Sequence, residues 1–223
     1  MSESVDLAAI EARARGLKLP GQTGSPLMGD IPLSELPPDI AARARKGNKV
    51  MSASARAAFV AGDPETLLCS FSNEEGLGIV SDNSKALRDR GIYERALVRA
   101  YTATRTNWSM WSIEDLGCLL AKADKEKLRA AGDPIPEGES FTLYRGVAGS
   151  GEHRKEAGLS WTRSADQAAW FAERGADGEL EDPAVYVTEA PRDAIAFYSG
   201  EREEDDFILI TESYKRTDWE IGR

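Results

Sequence analysis

The apolar residues of this chain change their spacing once, near Pro136, and that change limits the folds it can adopt. Between residues 51 and 136, apolar residues recur every three or four positions, as in SIEDLGCLLAKADKEKLRAAG, a pattern that indicates amphipathic helices. After Pro136 the apolar runs are short and turns separate them, as expected of strands. The sequence therefore predicts an α+β fold, in which a helical N-terminal region is followed by a mixed β-sheet.

The first 50 residues differ from both regions. Five prolines stand between positions 20 and 38, and they exclude a long helix or a central strand there. We interpret residues 1–50 as an extended arm that wraps the body or a partner, with disorder as the alternative. The predicted organisation is then the arm 1–50, a helical region 51–136 and a β-rich domain 137–223.

Within the helical region, local signals predict one helix start and one packed face. Ser112 is followed three residues later by Asp115, which favours a helix beginning near Ile113. Trp108 and Trp111 stand three residues apart. Aromatic residues at that spacing on a helix usually pack in the core, so we assign both to packing.

The β-rich region contains a helix between its second and third strands. The predicted strands are SFTLYRGV, GLSWT, AVYVTEA and DFILITE. The helix is SADQAAWFAERG, with Ser164 placed to cap it and with Trp170 and Phe171 predicted in the core. The segment PRDAIAFY begins with proline, and we interpret it as a short helix or turn.

Composition excludes several classes of function. The net charge of −10 disfavours a nucleic-acid partner. No run approaches the roughly 20 apolar residues of a membrane span, and the N-terminus lacks the pattern of a signal peptide. Cys69 and Cys118 lie in apolar helical settings and are predicted to be buried free thiols, which favours a cytoplasmic protein. The single histidine, His153, lies in a polar loop, and no zinc-site spacing accompanies it.

Three short motifs carry the candidate chemistry. Tyr144-Arg145-Gly146 ends the first strand, Ser160-Trp161-Thr162 forms the second, and the acidic run 201–206 directly precedes the last. A guanidinium such as that of Arg145 can hold a pyrophosphate through paired, charge-assisted hydrogen bonds, although a strand arginine also serves in structural ion pairs. Ser160 and Thr162 alternate with Trp161, so both hydroxyls are expected on one face and the indole in the core.

The order of these motifs resembles the arginine, serine-threonine-serine, glutamate signature of the ADP-ribosyltransferase superfamily. The stretch from Phe141 to Ile210 is similar to phage- and prophage-encoded members, which also carry a helical region before the YRG motif. The resemblance implies an NAD-binding domain that needs no metal. It also implies that Arg145 and Gly146 contact the phosphates, while Ser160 and Thr162 line the nicotinamide ribose.

The acidic position departs from the family pattern. In the family, the catalytic acid directly precedes the last apolar strand, and here that residue is Asp206, with Glu204 two positions earlier. Aspartate is shorter than glutamate by one C–C bond, about 1.5 Å, and misplacement on that scale can cost on the order of 100-fold in rate. A local bulge would present Glu204 instead.

The resemblance implies transfer of ADP-ribose from NAD to a protein side chain, with arginine favoured. Arg145, Glu204 and Asp206 would be the catalytic residues, Glu204 orienting the acceptor and Asp206 facing the positive charge that develops on the ribose. Two alternatives stay open. One is NAD glycohydrolysis without an acceptor. The other is a catalytically impaired relative that acts as a phage-type binding, inhibitor or structural protein through its acidic loop.

Overall fold

The structure, a computed structural model, describes residues 10, 12–14, 16–19, 52–104, 111–149, 158–177, 182–200, 205–210 and 215–217, without the side chains of 175–177 and 215–217. Most of the predicted arm, together with Trp108, His153 and Glu204, therefore lies outside the described residues. Within the described ranges, no helix is both long enough and apolar enough to cross a membrane.

The predicted α+β architecture is confirmed: helices occupy the N-terminal part of the chain and strands the C-terminal part. The chain divides into two compact units, Met1–Met110 and Trp111–Arg223. The division falls ahead of the boundary that the sequence suggested near residue 136. The last two helices before the strands thus belong to the C-terminal unit.

The N-terminal unit is helical in its described part. Its helices are α1 (52–61), α2 (Pro64–Cys69), α3 (Gly76–Asp82), α4 (Ser84–Arg90) and α5 (Tyr93–Ala103), with a 3₁₀ turn at Asn73–Glu75. Helix α3 lies close to α5, because a Cβ added to Gly76 would be 3.2 Å from the Cβ of Ala100. Gly91 ends α4 in the left-handed conformation, which glycine adopts without steric cost.

A short N-terminal segment packs into this helical unit. Leu17 and Leu19 are buried, with exposed fractions of 5% and 1%. The amide nitrogen of Lys18 donates to Oδ1 of Asn83 at 2.5 Å, and Nδ2 of Asn83 donates to the carbonyl of Lys18 at 2.7 Å. The Asn83 side chain thereby pairs with both main-chain groups of one residue, as a neighbouring strand would.

The C-terminal unit begins with two helices and continues into strands. Its elements are α6 (Ile113–Ala121), α7 (Lys125–Ala131), β1 (Ser140–Val147), β2 (Ser160–Trp161), α8 (Ala165–Asp177), β3 (Ala184–Pro191), a 3₁₀ turn (Arg192–Ala194), β4 (Ile195–Ser199), β5 (Asp206–Leu209) and β6 (Lys215–Thr217). The predicted cap of α6 is confirmed, since the amide of Asp115 donates to Oγ of Ser112 at 3.0 Å. The predicted cap of α8 is confirmed as well, because the amide of Gln167 donates to Oγ of Ser164 at 3.1 Å.

The strands form two three-stranded ladders, in the orders β1-β3-β6 and β2-β5-β4, and all of these pairings are antiparallel. A bridge between Tyr144 and Thr162 joins β1 to the end of β2. The main core of the unit lies on the face that carries Phe141 and Leu143 of β1, Trp161 of β2 and Phe207 of β5.

Several sequence predictions about individual side chains are wrong. Cys69 and Cys118 are exposed rather than buried, because each lies on the outer side of a helix that packs through its leucines. Trp170 and Phe171 are 51% and 38% exposed. Helix α8 packs instead through three buried alanines, Ala168, Ala169 and Ala172.

Two predicted segments also differ in their secondary structure. The helix that should have carried Trp111 ends at Ala103, and Trp111 lies half-buried in a bend before α6. The segment PRDAIAFY contains the predicted turn, but Ile195–Ser199 continues from it as strand β4. The sequence missed this strand because its pairing with β5, and not its local pattern, defines it.

Candidate functional site

Arg145 lies near the end of β1, where strand alternation decides which face it occupies. It pairs with Tyr186 of β3. Leu143 and Val147, two residues away on either side, belong to the main core, so the Arg145 side chain leaves β1 on that same face. The half-buried guanidinium donates from Nη1 to the carbonyl of Ser160 at 2.9 Å.

Two glycines shape the surroundings of this arginine. A Cβ added to Gly158 would overlap the Arg145 guanidinium, so any larger residue at 158 would require the arginine side chain to move. A Cβ added to Gly146 would overlap the carbonyl of Ala168, so Gly146 allows α8 to approach the opposite face of β1. Gly146 therefore has a packing role whatever ligand the unit binds.

The candidate residues lie on three neighbouring strands. Tyr144 and Thr162 exchange two main-chain hydrogen bonds, of 2.7 Å and 2.9 Å, which set β2 beside β1. On the other side of β2, Ser160 pairs with Ile208 and Trp161 pairs with Phe207 of β5. The sequence motifs that are 15 to 60 residues apart are thus brought onto adjacent strands, in the order β1, β2, β5.

The predicted hydroxyl pair divides into two different environments. Thr162 is 7% exposed. Its hydroxyl donates to Oε1 of Gln167 at 2.9 Å and accepts from the amide of Ser164 at 3.1 Å, so it organises the start of α8. Ser160 is half-buried and contacts Arg145 through its main-chain carbonyl.

Trp161 lies on the core face of β2, as predicted. Its side chain is 2% exposed, lies in the main core, and donates from Nε1 to the carbonyl of Gly158 at 3.0 Å. By alternation, Ser160 and Thr162 leave β2 on the face opposite to Trp161. Arg145 and the two hydroxyl residues therefore belong to opposite faces of the joined strands.

Of the two predicted acids, Asp206 and Glu204, only Asp206 lies among the described residues. Asp206 is the first residue of β5, is half-buried, and pairs with Ser199 of β4. It adjoins Phe207, which points into the main core, so the Asp206 side chain leaves β5 on the opposite face. Glu204 lies outside the described residues.

A polar cluster that sequence reasoning missed lies beside these residues. Arg163 binds the carboxylate of Asp205 through two hydrogen bonds, from Nε to Oδ2 at 2.6 Å and from Nη2 to Oδ1 at 3.0 Å. The hydroxyl of Tyr198 also donates to Oδ1 of Asp205, at 2.5 Å. The three side chains come from the ends of β2, β5 and β4, so only the pairing of those strands reveals the cluster.

These contacts determine the charge state of the cluster. Burial opposes ionisation of Asp205, but the hydrogen bonds from Arg163 and Tyr198 outweigh it and lower the pKa of that carboxyl. Burial and the hydrogen bond to Asp205 together raise the pKa of Tyr198 to about 12. At neutral pH the cluster is thus an ionised carboxylate held by a guanidinium and a neutral phenol.

The core-side face of the joined strands carries the Arg145 guanidinium, the Asp205 carboxylate and the Arg163 guanidinium that binds Asp205. A guanidinium and a carboxylate suit a ligand that combines an anionic part with a part that becomes positive. Among the described residues, no group of three or more acidic, histidine or cysteine side chains could hold a metal ion.

Comparison of this chain with protein-family models, with curated proteins and with solved structures finds no match.

Proposed function

We propose that the C-terminal unit is an ADP-ribosyltransferase-like domain that binds NAD and transfers ADP-ribose to a protein side chain, with arginine the favoured acceptor. The observation that carries the proposal is the adjacency of β1, β2 and β5. This adjacency gathers the arginine of the YRG motif, the Ser160-Trp161-Thr162 strand and the acidic start of β5 into one region, in the order in which the family presents its signature.

The chemistry that the proposal requires is compatible with side chains in this region. The bond between nicotinamide and the ribose breaks, its electron pair leaves with nicotinamide, and positive charge develops on the ribose. A nitrogen of the acceptor guanidine then bonds to that carbon and gives up a proton to solvent. A carboxylate at the start of β5 would stabilise the developing charge. Arg145 would hold the pyrophosphate at a distance from it.

The test of NAD binding centres on Arg145. We expect Arg145→Lys to weaken NAD binding about tenfold to hundredfold, because lysine cannot reproduce the paired hydrogen bonds of the guanidinium. Calorimetric titration of the full chain with NAD measures the affinity, and the thermal midpoint should change little. Arg174→Lys, on the exposed side of α8, is the matched control. A large loss of stability with unchanged NAD affinity would show that Arg145 has a structural role only.

Transfer and hydrolysis are separated by their products. Chromatography of nicotinamide reports cleavage of NAD in either case, and added agmatine, a small guanidine, reports transfer by forming an ADP-ribosyl adduct. Nicotinamide release without an adduct would favour the glycohydrolase alternative. The absence of both NAD binding and nicotinamide release would exclude the proposed enzyme.

A second candidate function has specific support. The hydroxyl of Thr162 is committed to the start of α8, and Asp206 leaves β5 on the face opposite to Arg145. Both facts favour a catalytically impaired relative that binds a partner without turning NAD over. NAD binding with no detectable nicotinamide release, in the presence or absence of agmatine, is the outcome that this candidate predicts.

A further inference from the structure

The position of Arg145 restricts which acid can share a ligand with it. Arg145 shares one face of β1 with Phe141 and Leu143, both of which lie in the main core. An acid that acts on the same bound molecule must therefore extend from the core-side face of β5. That condition can be checked residue by residue at the start of β5.

Asp205 meets the condition through a continuous chain of contacts. The ring of Phe141 lies 5.2 Å from that of Phe207, and the ring of Phe207 lies 4.8 Å from that of Tyr198, measured between centroids. The Tyr198 hydroxyl donates to Asp205. The guanidinium of Arg163, which binds Asp205, also lies over the Phe207 ring, 5.6 Å from its centroid. Asp205 is thus on the core-side face.

Asp206 does not meet the condition. It alternates with Phe207 and so shares a face with Ile208, which pairs with Phe197 of β4. At Phe197 that face contacts the chain that follows α7, because a Cβ added to Gly132 would be 3.2 Å from the Cβ of Phe197. The position that the family pattern assigns to the acid thus lies on the face opposite to that of Arg145.

We propose that Asp205, rather than Asp206, is the carboxylate that faces the nicotinamide ribose of NAD, and that Arg163 and Tyr198 are its positioning residues. The proposal rests on the proposed function, since it names the acid of that same site. It also explains how a chain with aspartate at the family position can keep an ionised carboxylate on the Arg145 face.

The hydrogen bonds of Asp205 leave room for a ligand. A carboxylate offers about four acceptor positions. Among the described residues, Arg163 and Tyr198 occupy three of them, two on Oδ1 and one on Oδ2. The fourth, on Oδ2, accepts from none of the described residues and would receive a ribose hydroxyl. The bidentate contact from Arg163 fixes the plane of the carboxylate and so directs that position.

The decisive comparison is between Asp205→Asn and Asp206→Asn, two neighbouring and isosteric changes. We expect Asp205→Asn to reduce nicotinamide release about 100- to 1000-fold, the usual effect of removing one group that stabilises transition-state charge. The loss from Asp206→Asn should be much smaller. Asp193→Asn, on the exposed turn before β4, is the control for loss of one surface charge and should release nicotinamide at the wild-type rate.

A pH profile tests the positioning role and remains informative if Asp205→Asn fails to fold. Arg163→Gln removes donors that lower the pKa of Asp205. In a plot of the nicotinamide-release rate against pH, the acidic limb should therefore move to higher pH. In Arg163→Lys the limb should lie between those of the wild type and Arg163→Gln, since lysine keeps the positive charge but cannot form the two parallel hydrogen bonds of arginine. An arginine that only stabilised the fold would change the rate without moving this limb.

Failure of the role of Asp205 can be distinguished from failure of the proposed function. Release that disappears in Asp206→Asn and persists in Asp205→Asn, or an acidic limb that stays in place in Arg163→Gln, would overturn the role of Asp205 and leave the proposed function intact. Absence of nicotinamide release from the wild-type chain, under conditions in which the fold is intact, would overturn both.

Discussion

Asn83 is the residue whose removal should most clearly change the N-terminal unit. It is 2% exposed, and its side chain makes three hydrogen bonds: two with the main chain of Lys18 and one, of 2.8 Å, from Nδ2 to the carbonyl of Ile79. The first two hold the segment that carries Leu17 and Leu19. Substitution by alanine removes all three at once.

The docking of this segment is close to balanced, which makes it sensitive to Asn83. Burying Leu17 and Leu19 stabilises docking by about 3–6 kcal/mol in total. Ordering the four residues 16–19 costs about 4–8 kcal/mol. The three hydrogen bonds add about 1 kcal/mol each, so at the middle of these ranges docking is favoured by about 1–2 kcal/mol with them and disfavoured by about as much without them.

We therefore expect Asn83→Ala to release the segment while leaving the helices folded. A loss of about 3 kcal/mol corresponds to roughly a hundredfold change in the docking equilibrium. Hydrogen exchange at the Lys18 amide and tryptic cleavage after Lys18 should both accelerate about tenfold, since both follow the open population, which rises from several per cent to nearly one. Asp82→Ala, an exposed neighbour on α3, serves as the control. Exchange and cleavage rates within twofold of that control would refute the reasoning.

Three further outcomes are expected. Gly146→Ala should destabilise the C-terminal unit by more than about 2 kcal/mol, seen as a lower urea midpoint, because the added Cβ overlaps the Ala168 carbonyl. Ser112→Ala should cost about 1 kcal/mol in the same assay, since it removes the cap that the Asp115 amide uses. Desolvation raises the pKa of Tyr93 to about 12. Because the folded state then keeps a proton that the unfolded chain loses near pH 10, unfolding free energy should fall as pH rises from 10 to 12. Tyr93→Phe should reduce that slope and leave the part due to Tyr198, whose pKa is also raised to about 12.

The sequence alone was enough for features that depend on residues close in the chain. The caps at Ser112 and Ser164 were predicted correctly because the acceptor and the amides it satisfies lie within three residues of each other. The burial of Trp161 also followed from alternation along a short strand. The same period-2 pattern gave β1 and β3 their bounds to within about a residue.

Burial of large side chains needed the tertiary structure. Trp170 and Phe171 are apolar residues on an amphipathic helix, and composition favours the core for both. Yet α8 packs through Ala168 and Ala172, because Gly146 lets the helix approach β1 too closely for a larger side chain. The aromatic residues are consequently left on the outer face, with exposed fractions of 51% and 38%.

The candidate site shows the same division between local and non-local information. The sequence predicted Arg145, Ser160, Thr162 and an acid at the start of β5 as one site; strand pairing brings their strands together, but Arg145 lies on the face opposite to the two hydroxyl residues. The sequence could not say which carboxylate shares the Arg145 face.

That choice depends on the pairing of β5 with β2 and β4, whose partners lie tens of residues away. A shift of one residue in this register would exchange Asp205 and Asp206 between the two faces. The residue types of the site are therefore determined by the sequence. The face of the joined strands that each side chain occupies is determined by tertiary pairing, because side chains alternate along a strand and only the pairing register decides which of them face the core.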